Sequence, residues 1–192
     1  TWNVLKNFKG GNAVFTQPAT PIKCGGAPQK IMYLAEHYFR KHEIREKTNV
    51  VFAAPGGVIF GVKEFAKTLN HIIASRNIIF KPFYAPISID SKAKKITFRY
   101  NTAMAGNDCM TQKNVKLHEE VQGDTEMVMP YDMLHLAPPQ TAPKFIQHSP
   151  LAVAEGPNKG WLEVDIHKLN SPKFPNVYGI GDSAALPTAK TG

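Results

Sequence analysis

The chain has 192 residues, 43% hydrophobic and 20% charged, which is enough for one sizeable core or for one domain and part of another. Its net charge of +8 favours anionic partners, but the basic residues are scattered and match no nucleic-acid-binding motif, so nucleic acid is excluded as a partner. No stretch has the apolar length of a membrane span, and two cysteines cannot supply the disulfide framework of a small secreted domain.

The first forty residues predict a short helix, a strand, a loop and a longer helix. Residues 1–12 favour the short helix, and small, β-branched and aromatic residues at 13–16 favour the strand. The loop carries Cys24, and apolar residues at helical spacing predict a helix over 28–40. Lys23 and the amide groups at the start of that helix favour the thiolate, the reactive form of a thiol, although an inert loop cysteine remains the alternative.

The next segment has the pattern of a β-α-β unit. The apolar run at 49–54 is typical of a buried strand, residues 62–75 have apolar side chains on one helical face, and 78–84 favours a second strand. This order predicts a parallel sheet with a right-handed crossover. The turn at 54–61 lies where a dinucleotide fingerprint would be expected, but its glycine spacing is wrong, so we interpret it as a structural turn.

The second half of the chain is less regular. Alternating residues predict a β-hairpin over 87–100, and the polar segment 102–125 is interpreted as a loop or insertion. Residues 126–131 lead into a strand predicted to end at Pro138-Pro139. Two further short strands are predicted, at 161–165 and 176–180.

The last of these strands carries a candidate cofactor site. It runs directly into Gly181 and Asp182, where a glycine allows close approach of the backbone to a ligand and a carboxylate can accept hydrogen bonds from sugar hydroxyl groups. The other candidates are weaker. Cys109 lies in the polar insertion and is interpreted as a surface thiol, and the seven histidines show no metal-binding spacing, so we predict no metal site.

Three stretches, at 12–34, 133–139 and 175–191, together resemble the eukaryotic, mitochondrial sulfide:quinone oxidoreductases. The first of them is long and specific. The resemblance implies an α/β fold of the two-dinucleotide-fold flavoprotein type, with a Rossmann-like domain. It also implies that the chain is a fragment lacking the N-terminal FAD-binding unit and the membrane-associating C-terminus.

The resemblance also implies a division into domains. Residues 1–22 are expected to be a remnant of the FAD domain, residues 23–139 the NAD-binding-like domain with the polar insertion, and residues 140–192 a truncated return to the FAD domain. Because the adenine and pyrophosphate site would lie in the absent unit, the fragment itself is expected to bind little or no FAD.

The family oxidises sulfide with FAD and a pair of cysteines, and it passes electrons to ubiquinone. By resemblance, Cys24 matches the thiolate that faces the flavin, Gly181 and Asp182 contact the flavin, and Ala137-Pro138 lie in a loop that passes it. The implied partners are sulfide, ubiquinone, a small sulfur acceptor such as glutathione or sulfite, and a membrane surface for the full-length protein. The implied location is the mitochondrial inner membrane.

One residue departs from the family. Ser183 stands where the second redox cysteine is expected, and a hydroxyl group can neither form a disulfide nor carry sulfane sulfur. We therefore expect impaired sulfide oxidation. Two other interpretations stay open, namely a related NADH:quinone-type flavoprotein reductase in which Cys24 is incidental, and a non-catalytic paralogue.

Overall fold

The computed structural model describes residues 1–20, 22, 24–100 and 114–187, with the backbone alone for Val115. Cys109 and half of the predicted polar insertion therefore lie outside the described residues. The chain divides into two compact units: unit 1 contains residues 1–19 and 26–138, and unit 2 contains residues 20–25 and 139–192.

The described residues of unit 1 form three α-helices and eight strands. The helices are α1 (Trp2–Asn7), α2 (Ala27–Lys41) and α3 (Lys63–Ser75). The strands are β1 (Gly11–Thr16), β2 (Thr48–Ala54), β3 (Ile79–Pro82), β4 (Tyr84–Asp90), β5 (Lys95–Tyr100), β6 (Glu120–Gln122), β7 (Glu126–Pro130) and β8 (Met133–His135).

Four of these strands form a parallel sheet in the order β3-β2-β1-β8. The two central strands pair from Gly11 with Thr48 to Thr16 with Ala53. Their apolar side chains are buried on both faces, which explains why the sequence reads as continuous apolar runs rather than as an alternating pattern. The predicted α/β fold with a parallel sheet is therefore confirmed.

Each face of the parallel sheet has its own core. Phe15 and Phe52 pack with Phe39 of α2 in the core shared with the helices, whereas Val14 and Val51 pack in the core shared with a second sheet. This second sheet is antiparallel, with the order β4-β5-β7-β6, and its first pair confirms the predicted hairpin. Unit 1 is thus layered as helices, parallel sheet and antiparallel sheet.

The structure corrects two predicted strands of unit 1. The strand expected over 78–84 ends at Pro82, because Phe83 takes a φ of 61° and separates β3 in one sheet from β4 in the other. The strand expected to end at Pro138-Pro139 ends at His135 as β8, and the residues expected only to lead into it form a strand of their own, β7, in the other sheet. In addition, β6 lies inside the segment interpreted as an irregular loop, because it pairs with β7.

Unit 2 has little regular structure beyond the short helix α4 (Lys144–Gln147). Its small core consists of Ala142, Ile146, Trp161, Leu162, Val164 and Ala184. The predicted strands at 161–165 and 176–180 are wrong as strands, because their described residues make isolated bridges and no extended ladder. The second was also expected to be buried, yet Tyr178 and Ile180 are exposed.

The units differ from the predicted domain boundaries, because residues 23–25, with Cys24, and residue 139 fall in unit 2 rather than in the NAD-binding-like domain. The prediction separated residues 1–22 from 23–139, but β1 lies in the centre of the parallel sheet, so residues 1–19 share a unit with residues 26–138. No helix in the described part of the chain is long and apolar enough to cross a membrane. Among the same residues there is no group of three or more potential metal ligands.

Candidate functional site

The order of the parallel strands locates the crevice where a dinucleotide fold binds its ligand. β1 pairs with β2 on one side and with β8 on the other, so the strand order runs outward from β1 to β2 and β3 and then reverses to β8. In open parallel sheets, ligands bind in the crevice at the carboxyl ends of the strands where the order reverses in this way. The loop leaving β1 at this point is residues 17–26, which carries Cys24. The turn at 54–61, interpreted as a structural turn, follows β2 and not β1.

The loop after β1 lacks the features that hold a pyrophosphate. A dinucleotide fingerprint has the spacing Gly-x-Gly-x-x-Gly, whereas the glycines of this loop are the adjacent pair Gly25 and Gly26. Furthermore, β2 ends in Ala53 and Ala54, followed by Pro55, instead of the acidic residue that binds a ribose. The switch point is therefore retained without the usual nicotinamide-binding residues.

The start of α2 is fixed by a buried side chain that the sequence analysis missed. Gln29 donates a hydrogen bond from Nε2 to the carbonyl oxygen of Ile59 at 2.8 Å, and its Oε1 accepts one from the Tyr33 hydroxyl at 3.2 Å. Gln29 is 2% exposed and Pro28 occupies the first turn, so the helix begins at a defined point. A glutamine in the first turn of a predicted helix, three residues after the pair Gly25-Gly26, is the sequence feature that could have indicated this contact.

Cys24 has an unusual backbone conformation three residues before α2. Its φ is 78°, in the left-handed region that costs a residue with a Cβ about 1–2 kcal/mol. Such strain persists where the surrounding structure determines it, and strained residues are concentrated at functional sites. The side chain is half-buried, which is compatible with access by a small reactant.

The carboxyl end of β8 is held to β1 by one hydroxyl group. Thr16 Oγ1 accepts a hydrogen bond from the Ala137 amide at 3.2 Å and donates one to the His135 carbonyl oxygen at 3.4 Å. Thr16 is fully buried, so this contact is shielded from water. It fixes the segment that continues to Pro138, the loop predicted to pass a flavin.

His135 lies at the same strand end. Its ring stacks on Phe15 with a centroid distance of 6.1 Å, and burial lowers the pKa of the imidazole below its ordinary value. Its Nδ1 atom is buried and makes no hydrogen bond to any described residue. The His135 ring is thus half-buried at a strand end.

In unit 2, residues Gly181–Ser183 form a 3₁₀ turn. Gly181 has a φ of 64°, and a Cβ added there would meet no atom within 4 Å. Asp182 is exposed, and the Ser183 hydroxyl donates a hydrogen bond to the Ile180 carbonyl oxygen at 3.2 Å. Small residues at this turn therefore leave an open surface with a carboxylate on it.

Leu162 holds this turn in place through its backbone. Its amide donates to the Ser183 carbonyl oxygen at 2.9 Å, and its carbonyl oxygen accepts from the Ala185 amide at 2.8 Å. The Leu162 side chain is buried in the core of unit 2, so the turn is connected directly to that core. Gly179 is needed for the same packing, because a Cβ there would lie 2.1 Å from Leu162 Cδ2.

The structure groups four of the six predicted site residues. Residues 20–25 belong to the same compact unit as the turn, so Cys24 falls with Gly181, Asp182 and Ser183 in unit 2. The other two, Ala137 and Pro138, belong to unit 1. This grouping joins two segments that are more than 150 residues apart in the sequence.

Comparisons with known proteins identify relatives that match the chain along its length. The chain is 43% identical to the mitochondrial sulfide:quinone oxidoreductase of Mus musculus and 35% identical to that of Dictyostelium discoideum, and each match covers all of this chain and 37% of the relative. The chain therefore spans little more than a third of the length of these curated relatives. No family model matches it.

Solved structures show the same fold. The sulfide:quinone oxidoreductase of the hyperthermophilic bacterium Aquifex aeolicus matches with a TM-score of 0.69 at 18% identity, over all of this chain and 41% of that one. NDH2 from Plasmodium falciparum, in complex with NADH, matches with a TM-score of 0.63 at 14% identity, over 95% of this chain and 36% of that one.

The switch point, the layered sheets and these likenesses define a protein of the dinucleotide-binding fold that oxidoreductases use. Within that class, the chain is sulfide:quinone oxidoreductase-like along its whole length.

Proposed function

We propose that the chain supplies the redox sulfur and part of the flavin contact of an FAD-dependent sulfide:quinone oxidoreductase, and that Ser183 makes its sulfide oxidation slow. One observation carries the proposal: Cys24 and the turn Gly181–Ser183 fall in the same compact unit of a chain that is similar to these enzymes throughout. Neither segment alone identifies the activity, but the family chemistry requires both.

The residues of unit 2 suit a flavin. The turn at Gly181 is open, and the exposed carboxylate of Asp182 can accept hydrogen bonds from the hydroxyl groups of a ribityl chain. Tyr178 and Ile180 expose apolar surface just before the turn, as an aromatic cofactor would require. In unit 1, Ala137 and Pro138 are proposed, by resemblance alone, to lie in a loop that passes a flavin, and Thr16 holds Ala137 in place.

Cys24 would accept the sulfide sulfur. Joining hydrosulfide to the Cys24 thiolate forms one S–S bond and releases one proton and two electrons, and the product is a persulfide on Cys24. FAD, when bound, supplies the acceptor for these two electrons, and ubiquinone is the final acceptor. Attack on the outer sulfur by a thiolate such as glutathione, or by sulfite, would break the S–S bond and restore the Cys24 thiolate.

Ser183 removes the faster route. With two cysteines, the thiols can form a disulfide that sulfide attacks directly. The hydroxyl group of Ser183 cannot take part in such exchange, so sulfide must combine with a single sulfur. Ser183 therefore also favours a second candidate function, that of a family member that binds flavin but does not oxidise sulfide.

A nicotinamide-dependent activity is less well supported. The loop after β1 lacks the fingerprint spacing, and β2 ends without the acidic residue for the ribose. Both features fit a protein that exchanges electrons with a quinone rather than with a pyridine nucleotide. The mitochondrion is the proposed location because the curated relatives are named mitochondrial, with the inner membrane as the site where a quinone would be met.

The test is sulfide-dependent quinone reduction by the flavin-loaded, full-length protein. We expect slow turnover, with an increase of at least tenfold after the substitution Ser183→Cys and a loss of that increase when Cys24→Ser is added. Cys109→Ser serves as the matched control and is expected to leave the rate unchanged. Ordinary turnover with Ser183 in place, or turnover that survives Cys24→Ser, would contradict the proposal.

A further inference from the structure

A large basic cleft lies in unit 1, lined by the amino end of β2, the whole of β3 and the carboxyl ends of α2 and α3. Its volume is about 1200 Å³. None of the described residues that line it belongs to β1, β8 or the segments that follow them, so the cleft is separate from the crevice at the switch point. Five cationic side chains line it, namely Arg40, Arg45, Arg76, Lys81 and Lys116, against two anionic ones, Glu36 and Glu46.

The centre of the cleft is a buried carboxylate surrounded by three guanidinium groups. Glu36 is fully buried, and its Oε1 lies 2.8 Å from Nε of Arg40 and 3.6 Å from Nε of Arg45. Its Oε2 lies 3.2 Å from Nη1 of Arg76. One carboxylate can neutralise one of these three charges, so an excess of positive charge remains around it.

Arg45 has a structural role, because its guanidinium group binds carbonyl oxygens of the backbone. Its Nη1 donates to the Thr48 carbonyl oxygen at 2.8 Å, and its Nη2 donates to the carbonyl oxygens of Arg76 and Asn77. Arg76 is the C-cap of α3, where the helix dipole favours a cation, and Asn77 follows it. Arg45 therefore joins the end of α3 to the start of β2.

Lys81 is also accounted for within the protein. Its Nζ lies 2.8 Å from Oε2 of Glu119, a fully buried carboxylate, and 5.2 Å from the centre of the Tyr84 ring. The pair is internally neutral. It forms one wall of the cleft without changing its net charge.

Arg40, Arg76 and Lys116 are different, because they are partly exposed in the cleft. The side chains of Arg40 and Arg76 are 48% and 37% exposed, and the contacts with Glu36 involve one nitrogen of each. A guanidinium has five N–H donors in a fork that matches two oxygens of an anion. Two such guanidinium groups contact one carboxylate, and the exposed Lys116 lines the same cleft.

We propose that this cleft binds a phosphate group with two negative charges, held by Arg40, Arg76 and Lys116. Oxyanion recognition by paired guanidinium groups is strong because the hydrogen bonds are charge-assisted and bidentate. A phosphate would relieve the repulsion among the cations that Glu36 leaves uncompensated. The cleft is larger than a phosphate ion, so the group would be carried on a larger molecule, either a soluble phosphomonoester or a lipid headgroup. The site is independent of the flavin and of the reacting sulfur.

The test is titration of the purified chain with inorganic pyrophosphate by calorimetry at constant ionic strength. We expect saturable binding that weakens about tenfold in each of Arg40→Gln and Lys116→Gln, as the loss of one charge-assisted contact implies. Lys92→Gln, in the turn of the β4–β5 hairpin, removes the same charge outside the cleft and is expected to leave the affinity within twofold. Equal losses in the cleft and hairpin variants would overturn the proposal, because they would show a general charge effect.

Glu36→Gln separates a ligand site from a purely structural network. Removing the buried negative charge makes the cleft more positive, so the affinity for pyrophosphate is expected to rise while the thermal stability falls. A fall in stability with no gain in affinity would contradict the proposal.

A second experiment, with phosphatidylcholine vesicles that contain or lack phosphatidic acid, distinguishes a lipid headgroup from a soluble phosphate as the ligand. Binding to the phosphatidic acid vesicles that Arg40→Gln weakens and pyrophosphate displaces would assign the site to a lipid headgroup. Pyrophosphate binding without vesicle binding would assign it to a soluble phosphate, and absence of both would overturn the proposal.

Discussion

Replacement of Gln29 by methionine tests whether the start of α2 is fixed as described. The substitution Gln29→Met keeps the length of the side chain and removes the donor to Ile59 and the acceptor for Tyr33. Leaving a buried carbonyl oxygen without its donor costs about 1–3 kcal/mol, and the partly exposed Tyr33 hydroxyl adds less than a full hydrogen bond. Burial raises the pKa of Tyr33, with Arg76 opposing, so its hydroxyl remains a proton donor at neutral pH. We expect a loss of about 2 kcal/mol.

The loss is measured as the free energy of unfolding of unit 1 in urea, followed by hydrogen–deuterium exchange of peptides from β1 and α2. Gln122→Met on the exposed strand β6 is the matched control, and it is expected to change the stability by less than 0.5 kcal/mol, as is typical of surface positions. If Gln29→Met also costs less than 0.5 kcal/mol, the buried contact does not fix the helix start and the reasoning is refuted.

Three further predictions concern the cores and the acid response. Gly179→Ala is expected to destabilise unit 2 by about 1–3 kcal/mol, because the added Cβ would overlap Leu162. The fluorescence of Trp161 would report the unfolding of this unit, and an unchanged unfolding midpoint would contradict the prediction. Lys81→Met is expected to cost about 3–5 kcal/mol in urea unfolding, because it leaves the buried Glu119 unpaired, whereas Lys95→Met at an exposed pair is expected to cost less than 1 kcal/mol. Burial lowers the pKa of His135 in the folded chain, so the unfolded chain binds the proton more tightly. The stability that this histidine contributes is therefore present above its unfolded pKa of about 6.5 and is lost as the pH falls below that value. His135→Phe is therefore expected to flatten the dependence of stability on pH between about 7 and 5, and an unchanged slope would refute the assignment.

The elements that the sequence predicted well are those whose signal is local. The apolar run of β2 and the helical spacing in α2 report burial directly, and both elements have close to their predicted bounds. The β4–β5 hairpin was predicted for the same reason, because its alternation and its turn lie within a few residues of each other. Local patterns were thus sufficient for the fold class.

The errors arose where long-range pairing decides the outcome. The fingerprint position depends on which strand is central in the sheet, and this is set by the pairing of β1 with both β2 and β8. The alternation that continues from β7 to β8 gives no sign that the two strands belong to different sheets. Likewise, the apolar residues at 176–180 have the pattern of a buried strand, but a pattern cannot show which residues would pair with it.

The candidate site was predictable only in part. Cys24 and Asp182 could be singled out by their neighbours, because helix starts and Gly-Asp turns have recognisable sequences. The supporting residues could not, because Thr16 and Gln29 act through hydrogen bonds to distant backbone groups. The basic cleft was also missed, since Glu36 and Arg76 are 40 residues apart and are brought together by the packing of α2 and α3.

The most direct test of the central claim is disulfide formation in the chain carrying Ser183→Cys and Cys109→Ser. If Cys24 and the turn Gly181–Ser183 jointly form a redox site, mild oxidation should produce a cross-link between positions 24 and 183, identified by mass spectrometry of non-reduced peptides. Two thiols that remain separate and fully alkylatable under the same oxidation would contradict the account.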